Sequence, residues 1–202
     1  MIDVNGRQDT DFQFSYNKNE FHDGCSLTFQ NEAYFFGGAT KPRQILQLKG
    51  CEVVYEGDLP FDLTKGACTT SQDTLFLGFP NTTGQEKNFY RSEGPFDEYT
   101  KTTSIHNHNY GQIAASDCKF QTDFRFDKSF SDKVLAAGSF ATGKSEIFTI
   151  ADAEFAEIAP FPKRVSGKSV IYHAGYFYVF GGTYGNVLYT EIYSTPERSV
   201  ML

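Results

Sequence analysis

Eight residues past the middle of the chain have the spacing of a phosphate-binding loop. Gly138-Ser-Phe-Ala-Thr-Gly143-Lys144-Ser145 fits G-x-x-x-x-G-K-[ST]. In such a loop the backbone N–H groups wrap the phosphates, the lysine reaches the terminal ones and the serine holds magnesium. That chemistry needs a strand before the loop and a helix starting at Gly143. Lys133-Val-Leu-Ala-Ala137 suits the strand, but Glu146-Ile-Phe-Thr-Ile150 is rich in β-branched and aromatic residues and starts a helix poorly. No later strand ends in an aspartate placed for the magnesium. The segment reads better as a loop between two strands. A nucleotide hydrolase built on Gly138 to Ser145 is the enzymatic alternative.

Other reactive groups are sparse. In extended backbone both imidazoles of His106-Asn-His108 would point the same way. Two ligands are too few for a metal and no carboxylate lies nearby in sequence, so a polar connecting loop is expected there. The four cysteines, Cys25, Cys51, Cys68 and Cys118, include no C-x-x-C, which argues against zinc. Their even number permits disulfides and leaves the pairing open. Asn81-Thr82-Thr83 is an N-glycosylation sequon. The carboxylates Glu56, Asp58, Asp62, Asp97 and Glu98 are scattered over turns and form no acid–base pair. No catalytic residue, metal or cofactor is therefore expected.

Charge narrows the partners. The chain has 202 residues, a net charge of −7 and a pI near 5.1, which argues against binding the nucleic-acid backbone. No apolar run approaches the roughly 18 residues of a membrane-spanning helix. Residues 1–10 are polar and lack the basic start and apolar stretch of a signal peptide, so the expectation is a cytosolic protein. The cysteines and the sequon keep a secreted protein, binding glycans or proteins, as the alternative.

The elements that carry these residues repeat. Tyr34-Phe35-Phe36 ends in Gly37-Gly38, and Tyr176-Phe-Tyr-Val-Phe180 ends in Gly181-Gly182. Each reads as a short buried strand stopped by glycines that accept positive φ. Thr74-Leu-Phe-Leu77 before Gly78 and Lys133–Ala137 before Gly138 are weaker copies. Spacings of 41, 60 and 43 between these glycines place an insertion in the third unit, between Cys118 and Ser131. Strand-like runs precede each glycine (Cys25–Phe29, Gly66–Thr70, Gln112–Ser116, Ser169–Tyr172). Third runs follow at Gln44–Leu48, Glu146–Ile150 and Thr190–Tyr193, and fourth runs at Cys51–Tyr55 and Phe155–Ile158. Glu146-Ile147-Phe148 aligns with Glu191-Ile192-Tyr193. Four strands per unit predict an all-β fold of propeller blades. Units are expected at about 25–62, 63–103, 104–164 and 165–202, behind a segment 1–24 with a strand at 11–16.

In this pattern the chain resembles the kelch repeat. The family's glycine doublet matches Gly37-Gly38 and Gly181-Gly182, and its tyrosine matches Phe148 and Tyr193. Val53 and Phe155 sit where the family has tryptophan, and Leu59-Pro60 and Phe161-Pro162 supply the proline turn between blades. There is no tryptophan, and Gly78 and Gly138 are single. The resemblance implies a β-propeller of about four recognisable blades. Galactose oxidase-like copper enzymes share such blades, but their thioether-linked Tyr–Cys pair and histidine ligands have no placed counterpart, so that activity is not carried over.

The resemblance also implies that the loops after the glycines and the loops between blades share one partner-binding face. Those loops hold Lys41, Arg43, Lys87, Lys144 and Tyr184, and Lys65, Lys101, Lys163, Arg164 and Lys168. The expected function is non-catalytic protein binding on that face, with an acidic peptide as candidate partner. Finally, the strand at 11–16 either closes a four-bladed ring or ends a missing upstream blade. The second is favoured, because kelch rings usually carry more than four blades.

Overall fold

A computed structural model describes residues 22–71, 73–108, 111–115, 133–137, 143–158, 168–173, 175–184 and 187–196. The described residues form strands and no helix. Sheet 1 consists of β1 (Cys25–Phe29), β2 (Glu32–Phe36), β3 (Gln44–Lys49) and β4 (Glu52–Asp58), paired antiparallel in that order. Sheet 2 repeats this with β5 (Ala67–Ser71), β6 (Thr74–Gly78), β7 (Asn88–Ser92) and β8 (Thr100–Thr103). Sheet 3 repeats it with β9 (Gln112–Ala115), β10 (Lys133–Ala137), β11 (Ser145–Thr149) and β12 (Glu154–Ile158). In sheet 4, β13 (Ser169–His173), β14 (Tyr176–Phe180) and β17 (Ile192–Pro196) pair in that order. A two-stranded hairpin, β15 (Thr183–Tyr184) and β16 (Val187–Leu188), stands beside them.

Local sequence explains the hairpins. Gln30 and Asn31 both take positive φ, 50° and 68°, in a two-residue turn between Phe29 and Glu32. That turn geometry matches the twist of the strands it joins. β10 is buried along its whole length, because sheet 3 lies between two other sheets. Its Val134 and Ala136 face sheet 2, while Leu135 and Ala137 face sheet 4.

The arrangement is propeller-like. The first strands β1, β5, β9 and β13 lie side by side and together line a cavity of about 500 Å³. Each sheet packs its onward face on the back face of the next. Phe36, Tyr34 and Ile45 of sheet 1 meet Leu75, Leu77 and Tyr90 of sheet 2. Phe76 and Phe89 of sheet 2 meet Val134, Ala136 and Phe148 of sheet 3. Leu135, Ala137 and Ile147 of sheet 3 meet Phe177 and Val179 of sheet 4. Phenylalanine does the filling: Phe89 lies 4.9 Å from Phe148 and 5.2 Å from Phe155, ring centre to ring centre. A disulfide between Cys25 and Cys68 joins β1 to β5 across the first junction. It settles one pairing that the sequence leaves open.

The structure corrects the register in two places. β1 pairs Cys25 with Phe36, β5 pairs Ala67 with Gly78, and β13 pairs Ser169 with Phe180. Gly78 therefore matches Phe36, and Phe79 matches Gly37 and Gly181. Phe79 takes φ of 59° where those glycines take 68° and 57°. A left-handed phenylalanine costs about 1–2 kcal/mol. Burying a phenylalanine ring is worth about 1.5–3 kcal/mol, so the fully buried Phe79, against Phe89 and His108, offsets the strain. Glycine is required at 37 for another reason: a Cβ there would stand 1.9 Å from the Leu63 carbonyl oxygen.

The second correction moves Glu146. Ser145 opposes Ala137 as Ile192 opposes Phe180, so Lys144, not Glu146, matches Glu191. The sequence reading also assigns no third or fourth strand to the second unit, where β7 and β8 lie. The strand at 11–16, the insertion at 118–131 and the Phe161-Pro162 turn lie outside the described residues.

Candidate functional site

The two loop sets meet at one end of sheets 1 and 2, as backbone hydrogen bonds show. Gly38 N–H donates to Leu63 O at 3.0 Å, Leu63 N–H to Pro42 O at 2.7 Å, and Asn81 N–H to Thr64 O at 2.7 Å. The next connection is held likewise, with Ser104 N–H on Lys87 O at 2.9 Å and His108 N–H on Glu86 O at 3.1 Å. Loops that would otherwise leave backbone groups unpaired are thereby fixed relative to one another.

On sheet 1 this end opens into a groove of about 510 Å³, lined by Lys41, Pro42, Arg43, Gln44, Tyr55 and Asp58. The loop after β2 supplies the basic residues and the end of β4 supplies Tyr55 and Asp58. Lys41 and Arg43 are exposed, as is Tyr55 at 56%. Arg43 Nε donates to Asp62 Oδ1 at 2.7 Å, and that hydrogen bond raises the guanidinium's pKa. A hydrogen bond to Asp58 raises the Tyr55 phenol. Gln44 anchors the floor: it is buried and its Nε2 donates to Gly37 O at 3.0 Å. The groove thus offers two cations, an aromatic face and two carboxylates on a rigid base.

The junction of sheets 2 and 3 is built differently. Glu146, fully buried on β11, accepts from Ile105 N–H at 3.0 Å and His106 N–H at 2.6 Å. His108, also fully buried, places Nε2 3.4 Å from Glu146 Oε1 and packs its ring, tilted, against Phe79 at 4.6 Å between ring centres. Burial alone would raise the Glu146 pKa; His108 and the two backbone donors outweigh it, and the net shift is downward. Glu157 on β12 takes both Lys144 Nζ and His106 Nε2, the latter at 3.0 Å. Those hydrogen bonds, Lys144 first, hold its pKa low. Lys87 Nζ donates to Ile105 O at 2.6 Å. The His106–His108 segment is therefore a clamped connection, and His108 is a core residue where a polar loop is expected.

The remaining sequence candidates separate in the same way. Lys168 is 2% exposed, which removes it from a binding surface, and burial lowers its pKa to about 8. Lys144 and Lys87 are committed to Glu157 and Ile105. Asn81 is half-buried on the loop after β6. Tyr184 closes β15, and its side chain is not described. Lys163 and Arg164 lie outside the described residues, as does Cys118. Cys51 is exposed and unpaired. In the Gly138–Ser145 motif, Ser145 opens strand β11 where a phosphate loop needs a helix, and its side chain is fully buried. Residues 138–142 of that motif are not described.

Sequence reading misses Glu146 and Glu157 as the organisers of the second junction, and Tyr55 as the wall of the groove. Glu146 carries a legible signal, a carboxylate inside an apolar strand, Ile147-Phe148 following. Its partners stand about 40 residues away and carry none. No protein-family model matches the chain, and no curated protein does.

Proposed function

We propose that this chain is a kelch-type propeller module that binds a protein partner without catalysis, through the groove at the loop end of sheet 1. The observation that carries the reading is the exposure of Lys41, Arg43 and Tyr55 together on a hydrogen-bonded base. A partner segment with acidic and apolar side chains fits that lining. Its carboxylate would exchange with Asp62 at Arg43, a solvent-exposed pair of the kind that contributes little to stability. Electrostatic attraction of this kind weakens with salt.

The test uses a fluorescent acidic peptide containing glutamate and tyrosine, followed by anisotropy as salt is raised. Binding should fall with salt and drop at least tenfold in a Lys41→Glu, Arg43→Glu variant. Affinity indifferent to both salt and the substitutions would overturn the reading.

A secreted form of the same module is favoured by one observation, the Cys25–Cys68 disulfide, since such bonds persist in oxidising compartments. Alkylation followed by peptide mass mapping of the native protein should find Cys25 and Cys68 in one linked peptide. Two separately alkylated cysteines would overturn it.

A further inference from the structure

The disulfide between Cys25 and Cys68 stands at the groove end of sheets 1 and 2. Cys25 opposes Phe36, the residue before Gly37, and Gly37 O accepts from Gln44 Nε2 on the groove floor. The residues just ahead of Cys25 hold both loops that meet at this end. His22 O accepts from Ala39 N–H at 2.9 Å, on the loop after β2. Asp23 O accepts from Lys65 N–H at 2.7 Å, on the connection to β5. The Lys65 ammonium also lies 3.6 Å from the Asp23 carboxylate. The same two loops touch where Thr64 Oγ1 donates to Gly38 O at 3.2 Å. Residues 22–25 therefore form a clasp across the two loops, and the bond to Cys68 is its covalent end.

Strand pairing shows that the bond belongs to the junction that carries the groove. The positions of Cys25 and Cys68 are held by Ala67 and Ile113 between sheets 2 and 3, and by Gln112 and Val170 between sheets 3 and 4. The sulfurs are within reach of a reagent, since both cysteines are partly exposed and Cys68 lines the cavity of about 500 Å³ between the first strands. We propose that the Cys25–Cys68 bond is a redox lock on the sheet 1 groove, which a dithiol reductant opens to weaken partner binding. The lock regulates the groove proposed above and so rests on that reading. In the opening step a thiolate of the reductant attacks Sγ of Cys68, and Cys25 leaves as a thiolate. The second thiol of the reductant then closes its own disulfide and releases Cys68. Two cysteine thiols form and one dithiol is oxidised. Without the bond the clasp keeps its hydrogen bonds and a partly exposed ion pair, which holds weakly. The partner itself must then order Lys41 and Arg43, which costs affinity.

The test reads the native chain before and after dithiothreitol, with alkylation and mass mapping to confirm the state of Cys25 and Cys68. The fluorescent peptide containing glutamate and tyrosine should bind the reduced protein about tenfold more weakly. A Cys25→Ser, Cys68→Ser variant should bind like the reduced chain and ignore dithiothreitol, which removes Cys51 and Cys118 as the cause. Hydrogen exchange needs no peptide. Reduction should quicken exchange at the Gly38, Ala39, Leu63 and Lys65 amides and leave those of β10 and β11 unchanged. Unchanged affinity, or unchanged exchange at those four amides, overturns the proposal. So does exchange that quickens equally in β10 and β11, because the bond then holds the whole fold and not the groove. An oxidised protein that binds no peptide overturns the groove reading alone. In that case the exchange pattern still upholds or overturns the lock.

Discussion

The junction between sheets 1 and 2 and the junction between sheets 2 and 3 start from similar ingredients and end in different states. Each brings a loop after a second strand against a loop between sheets, and each loop pair carries lysine or arginine. At the first junction the carboxylates Asp58 and Asp62 sit at the solvent side, so Arg43 and Lys41 stay exposed around a groove. At the second, Glu146 points inward from β11 and Glu157 stands beside it on β12. They draw in Ile105, His106, His108 and Lys144. The first is stapled covalently near the cavity by Cys25–Cys68, and the second is closed by hydrogen bonds to a buried carboxylate. Basic residues alone do not make a binding face. The position of the opposing carboxylate decides whether they stay exposed or hold the protein together.

The contrast breaks most sharply at Glu146. Replacing it with alanine removes the acceptor of the Ile105 and His106 N–H groups and the carboxylate beside the buried His108, and should cost about 3–5 kcal/mol of stability, read by urea unfolding. A loss within the error of the measurement would mean that the second junction is as loose as the first. Removing the other fastener, by Cys25→Ser with Cys68→Ser, should cost about 2–4 kcal/mol, because the bond closes a long loop between the two sheets. If that variant lost nothing, the first junction would rest on its apolar core alone.

Acid sharpens the comparison further. Folding lowers the Glu146 pKa, so its contribution is complete above the ordinary glutamate range and is lost as pH falls through the lower folded value. Thermal melts from about pH 6 to about pH 3 should therefore drop more steeply for the wild type than for Glu146→Gln. Parallel curves would place the acid sensitivity elsewhere. The smallest effect belongs to the open groove. The Lys41→Glu, Arg43→Glu variant should unfold at the wild-type urea midpoint while losing peptide binding. A shifted midpoint would show that these residues also serve the fold.

Much of the architecture is legible from residue order. The alternation in Cys25–Phe29 and Ser169–His173 identifies strands because each buries one side more than the other. The glycine doublets at 37 and 181 mark strand ends, since few other residues accept their φ. The second unit hides its outer strands because Asn88-Phe-Tyr-Arg-Ser92 mixes polar and apolar residues without alternation, and Thr100–Thr103 is uniformly polar. Phe79 escapes notice because its conformation is one that glycine normally takes. The tolerance comes from Phe89 and His108, which only folding brings alongside. In the candidate site, Lys41 and Arg43 were identifiable as loop cations, but Lys87, Lys144 and Lys168 look no different in sequence.

By itself, then, the sequence determined most of the strands and their repetition behind each glycine stop, because these follow from local conformational preference and alternating burial. The tertiary structure decided which charges stay exposed and which cysteines pair. Those outcomes depend on distances between residues some 20 to 50 positions apart, such as Arg43 with Asp62, Cys25 with Cys68 and His106 with Glu157. Pairing across that separation is set by how neighbouring sheets stack, and burial then makes an opposed carboxylate either costly to lose or easy to displace.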